Sequence, residues 1–422
     1  MYKKVRLENG LRIIAHRMPN MQSLALGIWV KVGGRYETNK LKGISHFLEH
    51  LLFKGSKNYS CRKIKESIEG VGGSLNGFTS EELTCYLVKI PSRYLELTLD
   101  ILSDMVINPS LASVEIEKEK QVIVEEIKMY KDQPQSYVYE LLDGLLWPNQ
   151  PLGSPIIGTV DSVSGITGEE LHLFKRKFYT PANIVVSAAG LLDYRKLIKG
   201  VAKVFLHENS QKVTTFIDAK ERQDRQQLKV FHKDTEQTHM ALGFHAFQRE
   251  HPLRHALGIL HIALGANMSS RLFHELREKR GLAYEIGTQV KRFQDTGAFI
   301  VHAGIDNRKV EQAVTLILKE LKKSKLKLIN RDEFKRAKEF YLGQLLLALE
   351  DTLDHMFWIG ESTVSLDKTY SLGEIIKEVK RVKREDIREV ARYIFKEENL
   401  NLALIGPLKN SEEKIRKRLL IE

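Results

Sequence analysis

The chain has 422 residues, of which 42% are hydrophobic and 28% are charged. That composition supplies enough apolar side chains for two cores and excludes a largely disordered chain. Two cysteines are too few for a disulfide framework. The formal charge is +12, but the basic residues are not interleaved with aromatic ones, which argues against a nucleic-acid partner. Neither a secretory signal nor an apolar run of about 20 residues is present, so we expect a cytoplasmic protein without a membrane span.

The first predicted elements are a hairpin and an amphipathic helix. Asn9-Gly10, between VRL and LRIIAH, is typical of a tight turn joining two strands. Further along, apolar residues recur at helical spacing in a segment that begins near Ile44 and ends near Gly55. The core-facing stripe of this helix consists of Ile44, Phe47, Leu48, Leu51 and Leu52.

The other face of this helix carries His46, Glu49 and His50. The histidines are four residues apart, so their rings lie one turn above each other and can share one Zn²⁺. A solvated polar face is the simpler interpretation of a lone histidine pair. The glutamate between them favours a metal site with a built-in base, since chance predicts only roughly 0.06 copies of this pattern in such a chain.

Two later segments are candidates for completing the site. The stretch GGSLNGFTSEELTCYLVKI, rich in β-branched and aromatic residues, predicts a strand. A helix is predicted from Ser113 to Lys131, with Glu119 and Glu126 two turns apart on one side. Glu126 is a candidate third ligand and Glu119 a candidate support. Spacing alone does not identify the ligand, because glutamates on such a charged helix are more often solvated.

An internal repeat predicts two related domains. LALGIWV at 24–30 resembles MALGFHA at 240–246, and ANIVVSAAG at 182–190 resembles LNLALIG at 400–406, with nearly equal separations. A period this long indicates duplicated domains rather than a solenoid. We expect an α+β fold with an N-terminal domain over 1–210, a linker over 211–225 and a C-terminal domain over 226–422. Each domain is expected to be a mainly antiparallel sheet packed with helices, and the two to form a clam-like half-chamber.

Five separated segments stand out along the chain: HFLEHLLFKGS, GVGGSLNGFTSEELTCY, EKEKQVIVEEI, QPLGSPIIG and MSSRLFHELREKRGLAY. Together they resemble the pitrilysin-type metallopeptidases, or inverzincins, particularly the small members of the family such as the processing-peptidase β-subunit and its bacterial homologues. The resemblance implies one Zn²⁺ per chain held by His46, His50 and Glu126. It also implies Glu49 as the general base and Glu119 as the carboxylate that orients the site.

The resemblance also implies a set of substrate contacts. An edge strand would pair with extended peptide, Phe53 would line a side-chain pocket beside the metal, and an arginine–tyrosine pair would contact substrate. For the two phenylalanines the alternative is core packing. For the arginine and tyrosine it is an exposed basic helix end and a packed ring. The residues are Phe53, Asn76, Gly77, Phe78, Arg277 and Tyr284.

One departure from the family concerns two acidic positions that read a substrate arginine in the processing-peptidase β-subunit. They align here with Ser136 and Glu140, so only one acid remains, and selectivity for arginine should weaken.

We therefore expect a zinc-dependent endopeptidase acting on short or unfolded peptides. A homodimer is the expected assembly, and pairing with an inactive homologue is the alternative. The competing functional hypothesis is a non-catalytic structural or peptide-binding subunit of the same fold.

Overall fold

The computed structural model describes residues 2–205, 215–409 and 412–420, so the predicted linker lies partly outside the described residues. The described strands are β1 (Lys3–Arg6), β2 (Arg12–Arg17), β3 (Ser23–Val30), β4 (Ser74–Thr79), β5 (Thr84–Pro91), β6 (Ile184–Gly190), β7 (Gln227–His232), β8 (Gln237–Ala246), β9 (Ala283–Arg292), β10 (Gly297–Asp306) and β11 (Asn401–Gly406).

The helices occur singly or in runs between these strands, with α15 after the last one. They are α1 (Ile44–Leu52), α2 (Cys61–Glu69), α3 (Leu95–Ile107), α4 (Ser113–Asp132), α5 (Pro134–Leu146), α6 (Val160–Gly165), α7 (Gly168–Phe178), α8 (Tyr194–Phe205), α9 (Arg254–Gly265), α10 (Val310–Leu326), α11 (Arg331–Ala348), α12 (Thr352–Leu366), α13 (Leu372–Arg381), α14 (Arg384–Ile394) and α15 (Glu412–Arg416). Among the described residues, no helix combines the length and the apolar character needed to cross a bilayer.

The strands form two sheets of matching topology. The first has the order β1-β2-β6-β3-β5-β4, and the second has the order β7-β11-β8-β10-β9. Each contains one parallel pair, β2 with β6 and β7 with β11, while the remaining pairs are antiparallel. The repeated segments occupy equivalent strands, β3 and β8 in one case and β6 and β11 in the other. The expected α+β fold with two mainly antiparallel sheets is confirmed.

The chain folds into two compact units that are not continuous in sequence. Unit 1 comprises residues 1–128, 155–217 and 346–371, and unit 2 comprises 129–154, 218–345 and 372–422. Helix α12 accordingly packs on the first sheet and α5 on the second. In the continuous domains expected from the sequence, α5 would cover the first sheet and α12 the second, whereas the structure exchanges the two helices. The repeat did not indicate this, because it locates the strands and carries no information on which sheet a helix covers.

The local elements that surround the site follow the sequence pattern closely. The Asn9-Gly10 turn joins β1 to β2 with Gly10 at a φ of 89°, as predicted. The five apolar residues of the α1 stripe are each at most 1% exposed. The stretch predicted as one strand is instead a hairpin of β4 and β5, because the Ser80 N–H donates to the Leu83 carbonyl and reverses the chain.

Candidate metal centre

The N-terminus of α1 is held by a buried carboxylate from an earlier loop. Glu37 accepts hydrogen bonds from the Gly43 N–H at 2.7 Å and from the Ser45 N–H at 2.8 Å, which satisfies two otherwise unpaired donors of the helix. Burial raises the pKa of Glu37 to about 7, although these backbone hydrogen bonds lower it. Gly43 has a φ of 89°, and an added Cβ would lie 2.6 Å from the Ile157 carbonyl oxygen, so only glycine fits. The helix is therefore fixed at the end that precedes the histidines.

Three potential ligands converge beside α1. One ligand atom from each of His46, His50 and Glu126 lies within 4.8 Å of the others, and His50 Nε2 is 3.7 Å from Glu126 Oε2. In a tetrahedral zinc site with bonds of about 2.0–2.2 Å, ligand atoms are roughly 3.4 Å apart. Two imidazoles and a carboxylate are a donor set that catalytic zinc uses. The residues present therefore fit one Zn²⁺ after small side-chain adjustments.

The electrostatics of His46 suit metal binding. Burial lowers the pKa of His46 to about 3, and the neighbouring His50 lowers it further. The imidazole is thus neutral, which is the form that ligates a metal. Its buried Nδ1 makes no hydrogen bond with any described residue. The ring is therefore oriented by the packing around it.

His50 is oriented by a buried ion pair. Its Nδ1 lies 2.8 Å from Glu119 Oε1, and the other oxygen of Glu119 lies 2.6 Å from Lys54 Nζ. Burial alone would lower the pKa of His50, but the hydrogen bond to Glu119 and the charges of Glu49, Glu119 and Glu126 together outweigh it, so the pKa is raised. Burial of Glu119 is likewise outweighed by His50 and Lys54, which lower its pKa. An ionised Glu119 accepts a hydrogen bond from His50 Nδ1–H, and His50 Nε2 then faces Glu126.

Glu49 lies next to these groups in a confined position. Its side chain accepts a hydrogen bond from Thr79 Oγ1 at 3.1 Å, and burial raises its pKa, against the opposing effects of His50 and Thr79. A raised carboxyl pKa suits a general base near neutral pH. Strand β4 approaches it closely, because a Cβ on Gly77 would lie 3.0 Å from Glu49 Oε1 and 2.9 Å from the Phe53 ring. A side chain at position 77 would thus force the carboxylate, the Phe53 ring or the strand to shift.

Strand β4 lies at the edge of the first sheet and pairs only with β5 among the described residues. Its two faces differ: Gly77 and Thr79 face α1, whereas Phe78 packs edge-on against Trp29 and Phe357 at 5.9 and 5.8 Å. Asn76 is exposed. The contacts of Phe78 are therefore those of a core residue, which was the alternative interpretation.

Phe53 follows α1 directly and has a mixed environment. It is partly buried against the core of unit 1, its ring centroid is 6.0 Å from that of Tyr86, and it lies beside Gly77. Core packing and a surface beside the metal cluster are both compatible with this position.

The three remaining predicted residues belong to unit 2. Glu140 lies half-buried on α5, and burial raises its pKa. The Arg277 guanidinium carbon is 4.8 Å from the ring centroids of both Phe273 and Tyr284. Tyr284, on β9, is 73% exposed. It is therefore not the packed ring of the alternative interpretation, and the arginine and tyrosine form one stacked, accessible pair.

Sequence reasoning missed three residues that support this cluster or the helix that carries it. Lys54 was detectable, because it lies four residues after His50, at the spacing of one helical turn. Glu37 and Thr79 gave no local signal. Tertiary contacts alone bring them to α1 and Glu49.

Comparison with known proteins defines the class. Residues 12–160 match the family model described as insulinase (peptidase family M16), and residues 165–341 match the model described as peptidase M16 inactive domain. The chain therefore belongs to peptidase family M16. All residues of the metal cluster lie in the part that matches the first model.

Individual relatives span nearly the whole chain. A protein of Bacillus subtilis named uncharacterized zinc protease YmxG is 36% identical over 410 residues, covering 97% of this chain and 99% of its own length. An uncharacterized zinc protease of Streptomyces coelicolor is 35% identical and covers 97% of this chain and 90% of its own. The structure of a protease from Helicobacter pylori superimposes with a TM-score of 0.91 at 25% identity, covering 96% of this chain and 99% of that one. These names support a zinc peptidase.

Proposed function

We propose that the chain is a zinc-dependent endopeptidase that hydrolyses short or unfolded peptides. The observation that carries the proposal is the convergence of His46, His50 and Glu126 within 4.8 Å, with the buried Glu49 beside them. One Zn²⁺ per chain would be held by these three side chains. Glu119 would keep His50 in the ligating orientation.

Zinc held by these three side chains would polarise the scissile carbonyl and acidify the attacking water. Glu49 takes a proton from that water as the new C–O bond forms, and it delivers the proton to the leaving nitrogen as the C–N bond breaks. Its raised pKa favours the transient protonated state. Burial excludes bulk water from the proton transfer, because Glu49 is only 8% exposed.

Substrate binding in this proposal uses main-chain and side-chain contacts. The free edge of β4, around Asn76 and Gly77, would pair with an extended peptide, which gives affinity with little sequence preference. Phe53 would contact a neighbouring substrate side chain. Arg277 and Tyr284 would donate hydrogen bonds to the peptide or to the developing oxyanion.

Glu140 would pair with a basic substrate side chain, because it is the one acid left of the two acidic positions that bind a substrate arginine in the processing-peptidase β-subunit. Phe78 contributes core packing to β4, so it is not among the proposed substrate contacts. The assembly that we propose is a homodimer.

The test compares the wild-type chain with Glu49→Gln on a pool of unfolded peptides, read by mass spectrometry. Bound zinc is measured in both proteins. Glu117→Gln, on the exposed side of α4, serves as the matched control for loss of one carboxylate. We expect wild type and control to cleave, and Glu49→Gln to hold zinc while its kcat falls by about 10²–10⁴-fold.

Two outcomes would contradict the proposal. A wild-type chain that holds zinc as its dimer and cleaves no peptide would favour the non-catalytic alternative. Full activity in Glu49→Gln would show that Glu49 is not the general base. Sedimentation of the purified chain tests the homodimer separately, and metal analysis tests the ratio of one zinc per chain.

A further inference from the structure

A basic groove lies in unit 1, at the opposite edge of the sheet from the metal cluster. It has a volume of about 1150 Å³ and is formed by β1, the end of β2 and the beginnings of α3 and α8. Because the sheet order runs from β1 to β4, five strand spacings, roughly 24 Å, separate this edge from β4. Six cationic residues line the groove: Lys3, Arg17, Arg93, Arg195, Lys196 and Lys199.

The protein balances the charge of these cations only in part. Across residues 2–205, 215–409 and 412–420, no carboxylate lies within ion-pair distance of any of the six. Of the two acidic residues in the groove, Asp193 accepts the backbone N–H groups of Arg195 and Lys196 at 2.7 and 3.2 Å, which lowers its pKa. Asp193 therefore stabilises the start of α8, and Glu96 is the other acid.

The lysines of α4, in the same unit, are arranged differently. On α4, Lys118, Lys120 and Lys128 each contact a glutamate three residues earlier, at 2.9, 2.9 and 2.7 Å. Like charges that converge with few counter-charges repel one another, and a bound anion relieves that repulsion. The groove thus brings together six cations from separate chain segments, none of which forms an ion pair with a described residue.

The floor of the groove is apolar. It consists of Leu95, Leu191, Leu192, Ile198 and Ala202. Leu95 and Leu192 are each 6% exposed and anchor the floor in the core, whereas the other three are half-buried and accessible to a ligand. A ligand that fits must therefore combine negative charges with apolar groups.

We propose that this groove docks an acidic peptide segment of a partner protein, in which carboxylates flank apolar side chains. Its volume exceeds the roughly 300–1,000 Å³ of ordinary small-molecule pockets, and its cations come from four separate chain segments. Carboxylates spaced along a peptide match that distribution, and leucine-like side chains match the floor. Exposed ion pairs are individually weak, so binding is expected to be modest and to weaken with salt. The proposal does not depend on peptidase activity.

The test measures fluorescence anisotropy of a short dye-labelled peptide that alternates glutamate with leucine. The full chain carries Glu49→Gln in every sample, so that the probe is not consumed. Arg17→Glu with Lys199→Glu reverses two groove charges, and Lys319→Glu with Lys327→Glu makes the same charge change on exposed positions of unit 2. A milder pair, Arg17→Gln with Lys199→Gln, and melting temperatures for all variants guard against loss of folding.

We expect the groove reversal to weaken peptide binding about tenfold or more, the glutamine pair to weaken it less, and the control pair to change it less than about twofold. A peptide with serine in place of leucine should bind more weakly. Equal losses in the groove and control variants would overturn the proposal, since binding would then follow net charge alone. Binding of inorganic tripolyphosphate or of phosphatidylserine vesicles without binding of the acidic peptide would also overturn it.

Discussion

Lys54 Nζ lies 2.6 Å from Glu119 Oε2, so the carboxylate that orients His50 also forms an ion pair with a lysine. The other oxygen of Glu119 is 2.8 Å from His50 Nδ1. The Glu119 side chain is only 4% exposed, and a buried carboxylate needs a partner to stay ionised. Lys54 therefore links the helix end to the metal cluster through two short contacts.

Replacing Lys54 with methionine should weaken zinc binding about tenfold, because Glu119 would lose its counter-charge and hold His50 less firmly. Competition with a chromogenic chelator measures the zinc affinity directly. Lys54→Arg is the matched control, since it keeps the positive charge and should retain most of the affinity. Equal zinc affinity in wild type and Lys54→Met would show that Glu119 orients His50 without help.

The pH dependence of stability should carry the signature of Glu37. Its folded pKa is raised to about 7, so folding favours the protonated carboxyl. This contribution to the free energy of unfolding is complete below the unfolded pKa and is lost as pH rises through the folded pKa. Glu37→Gln removes this pH dependence. The stability of the variant relative to that of wild type should therefore rise as the pH is raised from about 5 to about 8.

Urea unfolding of both proteins at the two pH values measures this change. Glu117→Gln is the control, because that residue lies on the exposed side of α4 and should show no such trend. A constant stability difference between Glu37→Gln and wild type would contradict the prediction.

Gly77→Ala should impair catalysis while leaving the metal site intact. The new Cβ would meet Glu49 Oε1 at 3.0 Å and the Phe53 ring at 2.9 Å, so the base or the strand must shift. Misplacement of a catalytic group by about 1 Å costs on the order of 10²-fold in rate. Peptide cleavage and bound zinc are measured together, with the exposed Ser74→Ala on the same strand as control. Loss of zinc together with activity would point to a structural defect instead.

Arg277→Ala should lower kcat/KM on peptides by about 10²-fold without changing zinc affinity, if its guanidinium stabilises the transition state as proposed. Tyr284→Phe tests the hydroxyl alone and should have a smaller effect, since the stacked ring remains. Arg308→Ala, an exposed arginine of the same unit bonded to Asp306, is the control for loss of charge. Unchanged kcat/KM in Arg277→Ala would remove it from the proposed substrate contacts.

Local periodicity predicted the parts of the fold that depend on neighbours in sequence. The Asn9-Gly10 hairpin, the helix that begins at Ile44 and the helix that begins at Ser113 are present where the residue pattern indicated them. The repeat also located equivalent strands in both sheets. The error at β4 and β5 arose because a turn of Ser, Glu and Leu lacks the glycine or asparagine that usually marks a reversal.

The sequence by itself determined that His46, Glu49 and His50 share one helix face, because α-helical spacing is a property of consecutive residues. Only the tertiary structure decided that Glu126 meets the two histidines, that Glu119 and Lys54 hold His50, and that Glu37 caps the helix. Those contacts join residues far apart in the chain, and their geometry depends on how sheet and helices pack. The exchange of α5 and α12 between the two sheets has the same origin, since an apolar helix face does not specify which of two similar sheets it will cover.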